Sequence, residues 1–96
     1  MNEERIGIVS HYFNKIGVAA AVLEGDLAVG DIIHIKGHTT DFAQKIESIQ
    51  IENKNVEHAK KGDEVAIKVK ETVRKHDVLY KVVEAWFDDY LIDTKL

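Results

Sequence analysis

The sequence contains neither cysteine nor proline. Without cysteine there is no disulfide, no thiolate zinc site and no cysteine nucleophile, so packing alone has to hold the fold, and we expect a reducing, cytoplasmic setting. No apolar run approaches the ~20 residues that span a bilayer, and the acidic start at residues 1–5 leads straight into a strand pattern. We therefore expect no signal peptide and no membrane contact.

Motifs for nucleotide chemistry and hydrolysis are also missing. The chain has no phosphate-binding Gly-x-x-x-x-Gly-Lys-Ser/Thr loop, and the turn at 14–17 lacks the aspartate of a guanine-recognition loop. It has no Gly-x-Ser-x-Gly elbow and no His-Glu-x-x-His helix. With 96 residues it forms one small domain, too short for a complete GTPase. We expect no cofactor, no bound nucleotide and no enzymatic activity.

The residues that are abundant favour strands. Isoleucine and valine number 22 against five leucines, and β-branched side chains suit a pleated, half-buried surface. Alternating patterns recur with turn residues between them, near 5–13, 18–23, 33–37, 42–51, 64–70 and 78–82. The sequence therefore predicts an all-β fold over residues 1–83, a small closed antiparallel β-barrel of six to seven strands.

Two local patterns refine this prediction. Phe42 and Ile46 lie on one parity and Ile49 and Ile51 on the other, which indicates a β-bulge or corner near Glu47. Three pairs ending in aspartate stand directly before a strand, where glycine permits a positive φ and the aspartate side chain caps the turn. These pairs are Gly30-Asp31, Gly62-Asp63 and His76-Asp77.

The chain changes character at residues 84–96. Four apolar residues recur there at helical spacing among acidic ones, which predicts a short amphipathic C-terminal helix. A helix of about 12 residues is marginal alone in water, so it has to dock on its own barrel, on a second copy or on a partner. The predicted partner-binding residues are Trp86, Phe87, Tyr90 and Leu91.

The histidines offer one alternative chemistry. His34, His38 and Asp41 lie close in sequence and are a possible metal set, but neither helical i,i+4 spacing nor a CxxC motif supports it. Exposed histidines at strand ends are common, so we predict no metal site. His11 stands before two aromatic residues, and the sequence assigns it no role.

Basic residues exceed acidic ones between positions 54 and 81, although the body of the chain is close to neutral. Two of these lysines share the outward face of one predicted strand and others occupy loops, which favours a surface that contacts phosphates. An ordinary solvated strand face with protective lysines is the alternative. The predicted RNA-binding residues are Lys60, Lys61, Lys68, Lys70, Arg74 and Lys75.

Three segments resemble a known family. The segments 27–35, 46–50 and 59–69 carry the order and spacing of the second-domain β-barrel of translational GTPases such as elongation factor Tu. Segments 10–19 and 36–42 resemble stand-alone elongation-factor-like barrels and the C-terminal barrel of the collagenase-like peptidase family, which includes RNA-modifying enzymes. The GTPase domain has no counterpart here, and His76-Asp77 replaces a third Gly-Asp pair. The resemblance implies a scaffold that contacts RNA and neighbouring proteins.

The sequence thus predicts a non-catalytic binding module. Its expected partner is RNA, either tRNA or rRNA, or a translation or RNA-modification protein. The alternative is a protein-interaction or homo-oligomerisation domain that uses the aromatic segment at 84–96 and does not bind nucleic acid.

Overall fold

The computed structural model describes residues 2–83, which form strands, turns and loops and no helix. This confirms the prediction of an all-β fold for that part of the chain. Ten strands follow one another: β1 (Asn2–Phe13), β2 (Val18–Leu23), β3 (Leu27–Ala28), β4 (Ile32–Lys36), β5 (Asp41–Lys45), β6 (Ile49–Ile51), β7 (Lys54–Val56), β8 (His58–Ala59), β9 (Glu64–Lys68) and β10 (Val78–Val83).

Eight strands form one antiparallel sheet in the order β5-β4-β10-β1-β2-β9-β6-β7, and β3 pairs with β8 separately. The end strands β5 and β7 do not pair with each other, so the sheet is not closed. The predicted closed barrel of six to seven strands is therefore wrong in closure and in strand number. Strands of two or three residues carry too little alternation to be detected, and residues 46–48 divide one predicted strand into β5 and β6.

The longest strand, β1, pairs with both β10 and β2 and bends twice. Its register shifts between Arg5 and Gly7 against β10, and between Val9 and His11 against β2. Each bulge adds one residue and changes which side chains face inward. Ile6 and Val9 are consequently buried although their parities differ.

One side of the sheet packs on a core made mainly of branched aliphatic side chains. Tyr12 and Phe42 pack against this core and are only partly buried. Removing these aliphatic groups from water is the main stabilising contribution, at roughly 1.5–3 kcal/mol for each large side chain. The largest fully buried residues are Ile6, Val9, Leu23, Leu27, Ile33, Ile35, Ile46, Ile49, Val65, Ile67, Val73 and Leu79.

Three turns share one construction, as the sequence predicts. In the first, Asp31 Oδ2 accepts a hydrogen bond from the Ala28 N–H at 2.8 Å, and the Asp31 N–H donates to the Ala28 carbonyl at 3.1 Å. Asp63 and Asp77 make the same pair of bonds with the residue three positions earlier. The residue before each aspartate has a positive φ, namely Gly30 at 100°, Gly62 at 94° and His76 at 81°.

A glutamine side chain joins edge strand β5 to the end of β9. Gln44 Nε2 donates to the Lys68 carbonyl at 2.9 Å, and its Oε1 accepts from the Lys70 N–H at 2.8 Å. The amide thereby satisfies backbone groups of residues two apart, as a neighbouring strand would. We call these two bonds the Gln44 bridge. Gln44 is only 7% exposed, so its polar atoms depend on these partners.

The predicted helix and its partner-binding residues lie outside the described residues. β10 ends at Val83, where the predicted first unit ends, and the division at 83/84 stays a prediction. Within residues 2–83 the structure contains no helix with the length and hydrophobicity needed to cross a membrane.

Candidate functional site

Three lysines surround one surface cavity at the Gln44 bridge. Lys45 ends β5, Lys68 ends β9 and Lys70 follows two residues later. With Gln44, Glu47 and Val69 they line a cavity of about 330 Å³. All three lysines are exposed, and none forms an ion pair with another residue of the described range 2–83. We call this the lysine cavity.

Two backbone donors at the lysine cavity are already occupied. The Lys70 N–H donates to Gln44, and the Val69 N–H donates to the Gly17 carbonyl at 2.9 Å. An anion would therefore be held by lysine ammonium groups, which act as point charges and set little geometry. This arrangement suits a polyanionic backbone better than one defined phosphate ligand.

The structure places the predicted RNA-binding residues at three separate positions. Lys68 and Lys70 meet at the lysine cavity, whereas Lys60 and Lys61 precede the opposite end of β9, a strand about 15 Å long. Arg74 Nε donates to Thr39 Oγ1 at 3.0 Å in another loop, and Lys75 follows it there. Sequence analysis missed Lys45, because only the fold brings the end of β5 beside the end of β9.

The face of the sheet that points away from the core carries an exposed aromatic pair on β1. The rings of His11 and Phe13 lie 4.4 Å apart between centroids at 51°, and Phe13 is 45% exposed. Phe13 pairs with Val18 on β2, and Val18 pairs in turn with Lys68 on β9. The aromatic pair and the lysine cavity therefore share one face.

Two alanines lie on the same face, in the row of cross-strand neighbours next to that of Phe13 and Lys68. His11 pairs with Ala20, and Ala20 with Ala66. A cavity of about 490 Å³ lies above them, lined also by Gln50. At its far side, Glu64 accepts a hydrogen bond from Ser10 at 3.1 Å. The face is thus acidic at the start of β9 and basic at its end.

A separate cluster lies on the outer face of β1, β4 and β5. His34 Nδ1 lies 2.7 Å from Glu3 Oε2, and His34 Nε2 lies 2.5 Å from Asp41 Oδ1. The contacts with Asp41 and Glu3 raise the pKa of His34, and the contact with His34 lowers the pKa of Asp41. Lys36 Nζ lies 3.8 Å from Glu3 Oε1.

This cluster does not assemble the alternative metal set. His34 and Asp41 do meet, but His38 does not join them, and within residues 2–83 no group of three histidine, aspartate or glutamate side chains is arranged to hold a metal. Both ring nitrogens of His34 face carboxylates, so the contacts are those of a histidine ion pair.

Comparison with solved structures shows the same architecture elsewhere. The C-terminal domain of a candidate U32 peptidase from Geobacillus thermoleovorans superposes with a TM-score of 0.79 and 25% identity, covering 83% of this chain and 93% of that domain. Its selenomethionine variant gives a TM-score of 0.76 over 79% of this chain and 96% of that chain. The fold is that of a U32 peptidase C-terminal domain.

Curated sequences agree with this U32 C-terminal fold. The chain is 41% identical over 80 residues to an uncharacterized protease of Methanocaldococcus jannaschii, covering 82% of this chain and 20% of the relative. It is 47% identical over 72 residues to a collagenase of Porphyromonas gingivalis, covering 73% of this chain and 20% of the relative. The chain thus spans about a fifth of these relatives. No protein-family model matches it.

The matches bear on one half of the resemblance only. They support the likeness to the C-terminal part of collagenase-like peptidases. They do not support the likeness to elongation factor Tu. The superposition with the U32 C-terminal domain covers 83% of the chain. Trp86, Phe87, Tyr90 and Leu91 stay predicted partner-binding residues outside the described range.

Proposed function

We propose that this chain is a non-catalytic module that binds RNA through the lysine cavity. The observation that carries the proposal is the convergence of Lys45, Lys68 and Lys70 around one cavity, where Glu47 is the one carboxylate that residues 2–83 place beside three ammonium groups. Lysines without ion-pair partners attract phosphates and release counterions when they bind them. The resemblance to a family that includes RNA-modifying enzymes also supports RNA binding.

The non-catalytic part of the proposal rests on the histidine with the closest polar contacts. His34 is held between Glu3 and Asp41, so neither ring nitrogen is free to take a proton from a hydroxyl nucleophile. The sequence has no cysteine to act instead. The matched segment is only 20% of the relatives named protease and collagenase, and we assign any hydrolysis to the parts of such proteins that this chain does not cover.

A charge-removal experiment tests the proposal. In the variant K45Q/K68Q/K70Q, affinity for a fluorescent RNA oligonucleotide should fall at least tenfold at low salt. The slope of log K against log salt should also become shallower by about 2, because roughly 0.7 counterion is released per phosphate on a single strand. Glu47→Gln should strengthen binding, because it removes the opposing charge.

The matched control is K60Q/K61Q, which removes charge at the opposite end of β9. Because it removes two charges and the cavity variant removes three, the losses are compared per lysine replaced, and the loss per lysine should be smaller than in the cavity variant. Equal losses per lysine would show a diffuse charge effect and contradict a defined cavity. Absence of RNA binding by the unaltered chain at low salt would refute the proposal.

Protein contact is the second candidate function, and exposed apolar residues favour it. Val29 is 42% exposed and Ile32 37% exposed, and Ile32 lines a cavity of about 310 Å³ together with Val82 at the end of β10. A second copy of the chain would cover this surface. Light scattering should then show a concentration-dependent mass that Ile32→Asp lowers, whereas a constant monomer mass would exclude this function.

A further inference from the structure

We infer that His11 and Phe13 form a stacking platform for an unpaired nucleobase, so that the module selects single-stranded over duplex RNA. This inference rests on the proposed function and adds the class of RNA. Phe13 is 45% exposed on a strand whose neighbouring residue, Tyr12, packs against the core. The ring is therefore held by a rigid strand and presented to solvent.

The platform and the lysine cavity are spaced for one ligand. Phe13, Val18 and Lys68 are successive cross-strand neighbours on β1, β2 and β9. Adjacent strands lie about 4.8 Å apart, so Phe13 and Lys68 are separated by roughly 10 Å along the sheet. Neighbouring nucleotides of one strand span such a distance, with a base on the ring and a phosphate at the lysines.

The next row of cross-strand neighbours, which starts at His11, accepts a flat group. Ala20 and Ala66 continue that row with the smallest side chains that a strand carries apart from glycine, and they line the cavity of about 490 Å³. Gln50 lines that cavity and offers an amide donor and acceptor to a base edge. Glu64 at the acidic end repels phosphates, so the phosphate backbone of the RNA should lie toward Lys68.

A duplex cannot use this platform. Its bases are stacked on one another, so it presents phosphates and groove edges rather than an open base face. Single strands expose that face, and aromatic side chains bind it with little preference for sequence. The lysine cavity alone would bind both forms, and the aromatic pair would add affinity only for the single strand.

The test compares two RNAs and three variants by fluorescence anisotropy. The RNAs are a uridine decamer and a ten-base-pair RNA duplex. Phe13→Ala should weaken binding of the decamer about 5- to 150-fold, the loss expected for one stacked base, and leave the duplex unchanged. Phe13→Tyr should restore decamer binding, because it restores the ring.

Ile16→Ala is the matched control. Ile16 is 63% exposed in the turn after Phe13 and is apolar but not aromatic, so its removal should not change affinity for either RNA. An equal melting temperature for Phe13→Ala and the unaltered chain would show that the fold is intact.

Three outcomes would overturn the inference. If Phe13→Ala binds the decamer as the unaltered chain does, while K45Q/K68Q/K70Q has lost binding, the proposed function stands and the stacking platform is wrong. If Phe13→Ala weakens decamer and duplex equally, the ring does not discriminate strands. If the unaltered chain binds neither RNA at low salt, both the proposed function and this inference fail.

Discussion

Three residues with a positive φ occupy the same place in three equivalent turns, but one of them is not glycine. His76 has a φ of 81°, a conformation that costs a side chain with a Cβ about 1–2 kcal/mol. His76→Gly removes that cost and adds some freedom to the unfolded chain. We expect a net stabilisation of up to about 1 kcal/mol, measured as a melting temperature higher by a few degrees.

The opposite change at the other two turns should destabilise the fold. A methyl group added at Gly30 or Gly62 would touch nothing within 4 Å, so only the backbone conformation opposes it. Gly30→Ala and Gly62→Ala should each cost about 1–2 kcal/mol in urea unfolding. Equal stability of these variants and the unaltered chain would show that the turns adjust freely.

At the level of elements, the Gln44 bridge connects two strands that no backbone ladder joins. Gln44→Leu would leave the Lys68 carbonyl and the Lys70 N–H without partners in a partly buried place. Each unsatisfied group costs about 1–3 kcal/mol, so we expect the two together to lower the free energy of unfolding by about 2–6 kcal/mol.

Gln50→Leu is the control for this prediction. Gln50 is exposed, and within residues 2–83 its amide bonds only to Asn55, at 3.1 Å. Its replacement should change stability by less than about 0.5 kcal/mol. Similar losses in both variants would mean that the Gln44 bridge contributes no more than a surface contact.

The His34 cluster makes the pairing of three strands depend on pH. Because Asp41 and Glu3 raise the pKa of His34, the stabilisation by the charged ring is complete below pH 6.5 and is lost as the pH rises through the raised value. Because His34 lowers the pKa of Asp41, the contribution of that carboxylate exists above pH 3.8 and is lost as the pH falls through the lowered value.

The melting temperature should therefore decline as the pH rises from about 6 to 9, and His34→Gln should flatten that decline. An identical decline in the variant would assign the effect to other groups.

The same elements show what the sequence could and could not predict. Asp31, Asp63 and Asp77 act within four residues of their partners, so local chemistry was enough to predict their turns. The lysine cavity and the Gln44 bridge join residues more than 20 positions apart, through a sheet order that no local pattern encodes. The prediction of a closed barrel failed for the same reason. Alternation of apolar and polar residues shows which side of a strand is buried, but it does not show which strands are neighbours.

For the molecule as a whole, the topology sets the folding rate. Asn2 pairs with Val83, so the two ends of the described chain meet in the centre of the sheet. Such distant pairing predicts refolding in milliseconds to seconds. Because the sequence has no proline, there should be no additional phase of tens of seconds.

Stopped-flow refolding monitored by tyrosine and tryptophan fluorescence checks this prediction. A prolyl isomerase should have no effect on the rate. A phase of tens of seconds would have to come from association or misfolding, which dilution would distinguish because only association depends on concentration.

The Gln44 bridge also has a consequence for hydrogen exchange. Most protected amides in a sheet become exposed to solvent only when two backbones separate, whereas the Lys70 N–H is covered by a side chain. Rotation of that side chain would release the amide while every strand stays paired. The Lys70 amide should therefore exchange through a local fluctuation of lower free energy than the amides of β9 that face β2, and its protection would report the rotamer of Gln44.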